Sequence, residues 1–498
     1  MAHAVAAPER SRWRGARSPL RIASSGWRSR ISSHETFTHD SLDSLGYDWE
    51  RIGDPSIPPR YPLRIYLPQT TDDIVDILRS AHERGERIVV RSKGHSSNDL
   101  VVAGGGSVLL TEKLNKVIEL DEQAHTITVQ SGAVSAQLDD FLAEKGYGLP
   151  VIGDHIHITV GGFASVGGIS PASHRFGLFV DNVERLEYVD WTGELHACSR
   201  TQDPDRFHRV LCGLGRHGVI ATMTLRFIQI DKYGTIWENE QTHYRELDSF
   251  IEGSARYVRE PGDVMMERGL WIDFLLGNDR HLAFGQFSAY RQTDQTPLKG
   301  LRNTVSYGYL HGLGYLGGRL PSRKVDRALK YLSMTGVLVS PRFASIKNIE
   351  FFTEKILDST VGDPTRMFIV LGPLDSYEEI FRDSWKVMSD ARARHGCFTF
   401  LSVYVKSIRS EYLGGGRPER FCELMFYVGV EPEKMTPAIL DEVVSRFDDV
   451  CIAHGAYRYM HSRTVKDAER RAKIDPNVRY WPESQDAPDA ARDPALHT

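Results

Sequence analysis

The stretch Arg91-Ser92-Lys93-Gly94-His95-Ser96-Ser97-Asn98 is polar, carries a glycine and two cations, and comes directly after the apolar run Ile88-Val89-Val90. A loop of small residues at a strand end presents successive backbone N–H groups, and such a nest can hold a diphosphate. Lys93 and Arg91 would add positive charge there, and Ser96 a hydroxyl. A plain polar loop has the same composition, so the loop alone leaves both readings open.

Upstream, Pro62-Leu63-Arg64-Ile65-Tyr66-Leu67-Pro68 reads as an extended piece between prolines. Thr70 is placed to cap a helix, with Asp73 as its return partner three residues on. Ile74, Val75, Ile77, Leu78 and Ala81 form one apolar stripe, and Gly85 closes the helix in the left-handed conformation. Strand, helix, strand in that order predicts a βαβ unit. Downstream, Val108–Leu110, Val117–Leu120 and Thr126–Gln130 read as strands, and Ser135 as the cap of a second helix ended by Gly146. Val183–Val189, a hairpin turn at Thr192-Gly193, a helix from Asp203 to Leu211 and a long strand from Val219 to Ile230 follow.

Between these lies Gly153 to Ile169, with glycines at 161, 162, 167 and 168 that let the backbone approach a flat ligand. Asp154 sits at its rim, where a carboxylate can act as a base. His155 and His157 would share one face of a strand, and no further ligand cluster supports a metal there. Gly213-Leu214-Gly215-Arg216-His217-Gly218 matches a dinucleotide fingerprint by letters only. That fingerprint needs a strand before the glycines and a helix after them; here the order is reversed, which argues for a plain turn.

The chain has 498 residues, 41% apolar and 26% charged, with a formal net charge of −5. That length exceeds one compact core, so two domains are expected. The charge gives no reason to expect nucleic acid as a partner, and no apolar run approaches the ~20 residues that span a bilayer. Five cysteines without CxxC spacing indicate neither a disulfide framework nor a zinc site, and favour a reducing, cytoplasmic setting. The Arg/Ser-rich start, residues 1–45, reads as a disordered arm, although its composition also matches a transit peptide by type. Residues 483–498 read as a disordered tail. Past Tyr233 the texture changes to alternating strands and amphipathic helices, with a Gly/Tyr-rich loop from Tyr307 to Gly318. This predicts α+β with an antiparallel sheet.

Taken together, Gly94-His95-Ser96, Thr159-Val160-Gly161-Gly162 and the Gly213–Ile220 turn resemble the FAD-binding domain of the vanillyl-alcohol oxidase / p-cresol methylhydroxylase superfamily (PCMH-type), over about residues 60–230. The run Ile152-Gly153-Asp154-His155-Ile156-His157-Ile158-Thr159-Val160-Gly161-Gly162 is most similar to cytokinin dehydrogenases. His95-Ser96-Ser97-Asn98-Asp99 looks like alditol and sugar-lactone oxidases, and Ala172–Phe179 like the sterol-reductase branch.

The resemblance implies a two-domain PCMH-type fold: a FAD-binding domain over 46–232, an inserted antiparallel-sheet substrate domain over 233–451, and a return segment over 452–482. It implies FAD contacts at Ser92, Lys93, Gly94, His95, Ser96, Thr159, Gly161, Gly162, Ser165, Ile169, Ile220 and Tyr459, with a covalent bond through His95. Relatives that attach FAD doubly carry a cysteine where this chain has His157, so one link is expected. The closing motif departs to Asp475-Pro476-Asn477-Val478-Arg479-Tyr480-Trp481-Pro482. Asp154 falls on the family's substrate-facing aspartate. Glu267 is a candidate substrate-binding glutamate, although a charged residue is more often on the surface. Tyr404 and Lys406 share a strand face and could line a site. The implied activity moves a hydride from a C–H next to an alcohol or amine of a small molecule to the flavin, with oxygen or another acceptor closing the cycle. The alternatives are a C=C reductase or desaturase, and a flavin-binding protein without turnover.

Overall fold

In a computed structural model, the structure describes residues 44–49, 58–97, 100–277, 280–294, 323–335, 341–350, 364–464 and 467–482. Residues 1–43 of the arm, the 483–498 tail, the Tyr307–Gly318 stretch and Asn98-Asp99 lie outside them.

The βαβ expectation holds. Strands β1 (Arg64–Tyr66) and β2 (Ile88–Arg91) both pair in parallel with β3 (Ser107–Leu110), which lies between them. The connecting helix Thr71–Glu83 starts in a capping box: Thr70 Oγ1 accepts the Asp73 N–H at 3.1 Å, and Asp73 Oδ2 accepts the Thr70 N–H at 3.0 Å. Each bond satisfies a donor that the first turn leaves bare. Ile74, Leu78 and Ala81 are buried, while Val75 and Ile77 flank them half-buried.

An antiparallel five-stranded sheet follows, in the order β4 (Val117–Asp121), β5 (Thr126–Gln130), β9 (Val219–Arg226), β7 (Val183–Val189), β8 (Leu195–Ser199). Its second helix, Ser135–Ala143, begins differently from the expectation. Val134 is the N-cap and Ser135 is already helical, its hydroxyl buried without a hydrogen-bond partner among the described residues. Leu138 and Leu142 face the core as expected. Short β6 (Tyr147–Gly148) and β10 (Ile228–Gln229) form a separate pair.

The remaining chain builds an antiparallel eight-stranded sheet, ordered β14 (Phe343–Ala344), β11 (Trp237–Tyr244), β13 (Arg280–Gln292), β12 (Met266–Gly277), β16 (Phe398–Ser410), β17 (Glu419–Val430), β15 (Thr365–Pro373), β18 (Tyr457–Arg458). Helices Leu247–Arg259, Tyr377–His395 and Pro437–Ala453 pack one apolar cluster with this sheet. The opposite side faces the first half of the chain, and one buried cluster runs across both. Phe163 and Ile169 share it with Ile272, Phe400 and Met425. After helix Pro437–Ala453 the chain forms β18 at the edge of the large sheet and then crosses to the first half: Ser97 N–H donates to His461 O at 3.1 Å. All five cysteines are buried thiols. No described helix is long and apolar enough to cross a membrane.

Candidate active site

The loop after β2 is held from behind by Arg91. Its guanidinium, only 4% exposed, donates to Tyr47 O at 2.7 Å and Ser44 O at 3.0 Å. Burial lowers its pKa to about 10 against the opposing field of Asp48. The expectation that Arg91 adds charge to a bound phosphate is thus corrected: its fork is turned away and braces the loop. Gly94 lies directly over that guanidinium with φ +72°, so this turn requires glycine. Ser92 Oγ lies 2.6 Å from Thr111 Oγ1.

The loop opens onto a cavity of about 230 Å³ between the two halves of the chain. Ser92, Lys93, Gly94, His95 and Ser96 line one end. Thr159, Gly161, Gly162, Ser165 and Ile169 line a second wall, Ile220 a third, and Tyr459 enters from the return segment. Every cofactor position expected from the sequence therefore borders one space. Local bonds explain the second wall. Thr159 caps the short helix Val160–Val166 by accepting the Gly162 N–H, Gly161 N–H donates to Ser131 O at 2.8 Å, and Ser165 Oγ donates to Gly161 O at 2.8 Å. A Cβ on Gly161 would meet Ser131 at 2.7 Å. Tyr459 Oη accepts the Gly168 N–H at 3.0 Å.

The Gly213–Gly218 turn joins helix Pro204–Val210 to β9, in the order opposite to a dinucleotide fold. Positive φ falls on Cys212, Leu214, Gly215 and Gly218 rather than on Gly213. A leucine at φ +56° is unfavourable by about 1 kcal/mol or more, and Leu214 spends it while lining the cavity. His155 and His157 stand in a bend and turn, not a strand. Only His155 lines the cavity, and His157 is exposed.

Asp154 lies where the cavity meets a smaller apolar one bordered by Met266, Arg268, Tyr290 and Ile349. Its Oδ2 is 2.6 Å from Lys406 Nζ, while its buried Oδ1 has no hydrogen-bond partner among the described residues. Lys406 also reaches Glu423 Oε2 at 2.9 Å. Burial alone would lower the Lys406 ammonium, but Asp154 and Glu423 outweigh it and hold its pKa up. Burial raises Glu423, with Lys406 opposing. At the loop end, burial first, then the fields of His155, His461, Lys93 and Arg91, keep His95 neutral. Its ring lies 5.0 Å from that of His155.

Glu267 sits elsewhere. It is fully buried, not on the surface, and its Oε1 accepts the Ser407 N–H at 3.2 Å. Neither cavity is lined by it, because on β12 it points opposite to Met266 and Arg268. Tyr404 is buried beside Arg268 and Asp154, and Lys406 lines the main cavity. Ser131, His461 and Glu423 went unread in the sequence. Glu423 left a signal, a lone charge inside the apolar strand Phe421–Met425; His461 left none. Asp190, Glu194 and His196 also converge, on the β7–β8 hairpin outside the cavity, as acids and histidines at a turn commonly do.

The residues present fit an FAD. Ser96 Oγ, Ser131 Oγ and His461 Nδ1 are buried polar atoms without partners among the described residues; the Ser96, Ser131 and His461 side chains belong to the wall. Buried polar atoms normally find partners, so a polar ligand is called for. Comparison with known proteins agrees. Residues 62–199 match the family described as FAD binding domain. An uncharacterized oxidoreductase of the fasciation locus of Rhodococcoides fascians is 34% identical over 165 residues, 33% of this chain and 37% of that protein. D-arabinono-1,4-lactone oxidase of Eremothecium gossypii is 30% identical over 202 residues, 36% of this chain and 37% of that protein. Cytokinin dehydrogenase 2 of Arabidopsis thaliana is 32% identical over 301 residues, 58% of this chain and 56% of that protein. The chain thus covers between about a third and somewhat over half the length of these relatives. These likenesses are consistent with the PCMH-type FAD oxidase superfamily that the sequence motifs resemble.

Proposed function

With an FAD-binding domain over residues 62–199 as the premise, we propose that this protein is an oxidoreductase that oxidises a small alcohol or amine on flavin. One observation carries the reading. Asp154, whose Oδ1 has no hydrogen-bond partner among the described residues, lines the same cavity as the Gly94-His95-Ser96 loop. FAD, when bound, supplies a ring that takes up a hydride, and the protein's part is to bind, orient and tune. Ser96, Ser131 and the 92–96 backbone hold the polar end of the cofactor. Gly161, Gly162, Ile169, Ile220 and Tyr459 confine its flat end. Asp154 Oδ1 takes the proton from the substrate O–H or N–H as the C–H bond breaks, so that a C=O or C=N bond forms. Neutral His95 keeps a ring nitrogen able to bond to the flavin, and a single covalent link there is part of the proposal.

In this reading residues 46–232 with 452–482 carry the flavin, and 233–451 cover its substrate side. The relatives' names point to a lactone or a cytokinin, and either an alcohol-type or an amine-type donor suits Asp154. Oxygen or another acceptor completes the turnover. Buried, unbridged thiols accord with a reducing compartment such as the cytoplasm.

The test is anaerobic mixing of the purified, flavin-loaded protein with amines, alcohols, lactones and NADPH. Bleaching by an amine, alcohol or lactone supports the proposal, and Asp154→Asn should then slow it on the order of 10²–10⁴-fold. Bleaching by NADPH alone would move the reading to a C=C reductase. A protein that purifies without flavin and takes none up would end both.

A further inference from the structure

Asp154, Lys406 and Glu423 form a chain of contacts at the cavity wall, with side-chain exposures of 11%, 2% and 3%. Lys406 and Glu423 face each other in the β16–β17 register, so the sheet itself sets their contact. Asp154 arrives from the other half of the molecule. A lysine this deeply buried is costly unless a carboxylate pairs with it. If Asp154 were its sole partner, protonating Asp154 would strand the ammonium, and proton uptake would be opposed.

We propose that Lys406 and Glu423 are positioning residues for Asp154: Lys406 fixes Oδ2 so that Oδ1 is aimed at the substrate, and Glu423 holds the ammonium while Asp154 carries a proton. This rests on the reading of Asp154 as the base. The proton bookkeeping is closed. One proton moves from the substrate O–H or N–H to Asp154 Oδ1, Lys406 keeps its own, and the ion pair shifts its weight from Asp154 to Glu423. Among the described residues, Arg268 from β12, Tyr404 from β16 and the chain neighbour His155 also lie beside Asp154, and Lys232, Tyr290 and Glu350 share the smaller cavity with it. Arg268 adds a second positive field, so Asp154 keeps a cation nearby when Lys406 is removed.

The two partners act on Asp154 with opposite sign, which a merely structural role would not do. Removing a nearby cation raises a carboxyl pKa, and removing a nearby anion lowers it. The experiment titrates the flavin-loaded protein by infrared difference spectroscopy, following the protonated-carboxyl band that disappears in Asp154→Asn. In parallel it records the pH profile of flavin reduction. Lys406→Met should move the acidic limb of that flavin-reduction profile to higher pH, and Glu423→Gln should move it to lower pH. Shifts in the same direction, or none, would overturn the proposal. Should Lys406→Met not fold, the nearly isosteric Glu423→Gln decides alone: a downward shift supports the proposal, and an unchanged or upward one overturns it. Asp154→Asn separates the two readings. If that variant reduces flavin at the unaltered rate, the base assignment fails whatever the midpoints do.

Discussion

The His461 Nε2–H donates to the backbone carbonyl of His95, so the glycine–histidine loop is closed by a residue 366 positions further along the chain. The partner is a carbonyl, which fixes the tautomer and leaves Nδ1 as an acceptor with no hydrogen-bond partner among the described residues. Ser97 reinforces the junction: its N–H and its hydroxyl both donate to His461 O, at 3.1 and 3.0 Å.

Substituting His461→Phe keeps an aromatic ring, slightly larger than the imidazole, and removes that bond. One buried hydrogen bond contributes about 1 kcal/mol or somewhat more, so flavin should dissociate about tenfold more readily from a protein in which the covalent link is also absent. Fluorescence titration of flavin into His95→Ala and into His95→Ala/His461→Phe measures the difference. Equal affinities would show that the junction does not shape the loop.

His95→Ala tests the covalent link directly. After acid precipitation the wild-type pellet should stay yellow and carry the flavin mass, while the variant should release its colour to the supernatant. A yellow His95→Ala pellet would refute the assignment.

Gly94→Ala should cripple flavin retention. An added Cβ would stand 2.3 Å from Arg91 Nη2, and φ of +72° is itself unfavourable for alanine. The guanidinium cannot swing aside, because Tyr47 O and Ser44 O hold it. A stability loss of about 2 kcal/mol or more is expected by denaturant unfolding, together with loss of bound flavin. Wild-type stability in this variant would mean that the loop is looser than described.

Burial pushes Glu267 up to about 8 from an ordinary 4.5, with the Ser407 N–H and Arg420 opposing. Its folded value lies above its unfolded one, so its contribution is fully present below about pH 4.5 and is lost as pH rises through about 8. Glu267→Gln keeps the bond to Ser407 and cannot ionise. Its stability should fall less than that of the wild type between pH 5 and 8, by about 1–3 kcal/mol over that span. Urea unfolding at both pH values gives the comparison, and parallel slopes would contradict it. The same variant tests the substrate role: a changed KM with an unchanged pH slope would bring Glu267 back to the site.

Local physics made much of the first half readable. The Thr70–Asp73 capping box, the Ile74/Leu78/Ala81 face and the helix-before-strand order at Gly213 all follow from residues within a few positions of one another. The lining of the main cavity was legible for the same reason, since the 92–96 and 159–165 segments are each short and self-contained. Where reading failed, the cause was a distant partner. Arg91 belongs to Tyr47 and Ser44 rather than to a phosphate, Val134 pairs with Thr159 just before Ser135 enters the helix, and buried Glu267 accepts the Ser407 N–H.

By itself, then, the sequence determined the βαβ start, the strand and helix periods, and which glycines and polar residues could form a flavin wall, because those properties act over one turn or one pleat. Only the tertiary structure decided that Lys406 and Glu423 flank Asp154 and that His461 closes the loop of His95. Those pairings join residues hundreds of positions apart. They depend on how two halves with a shared apolar core are packed together, and no local pattern encodes that packing.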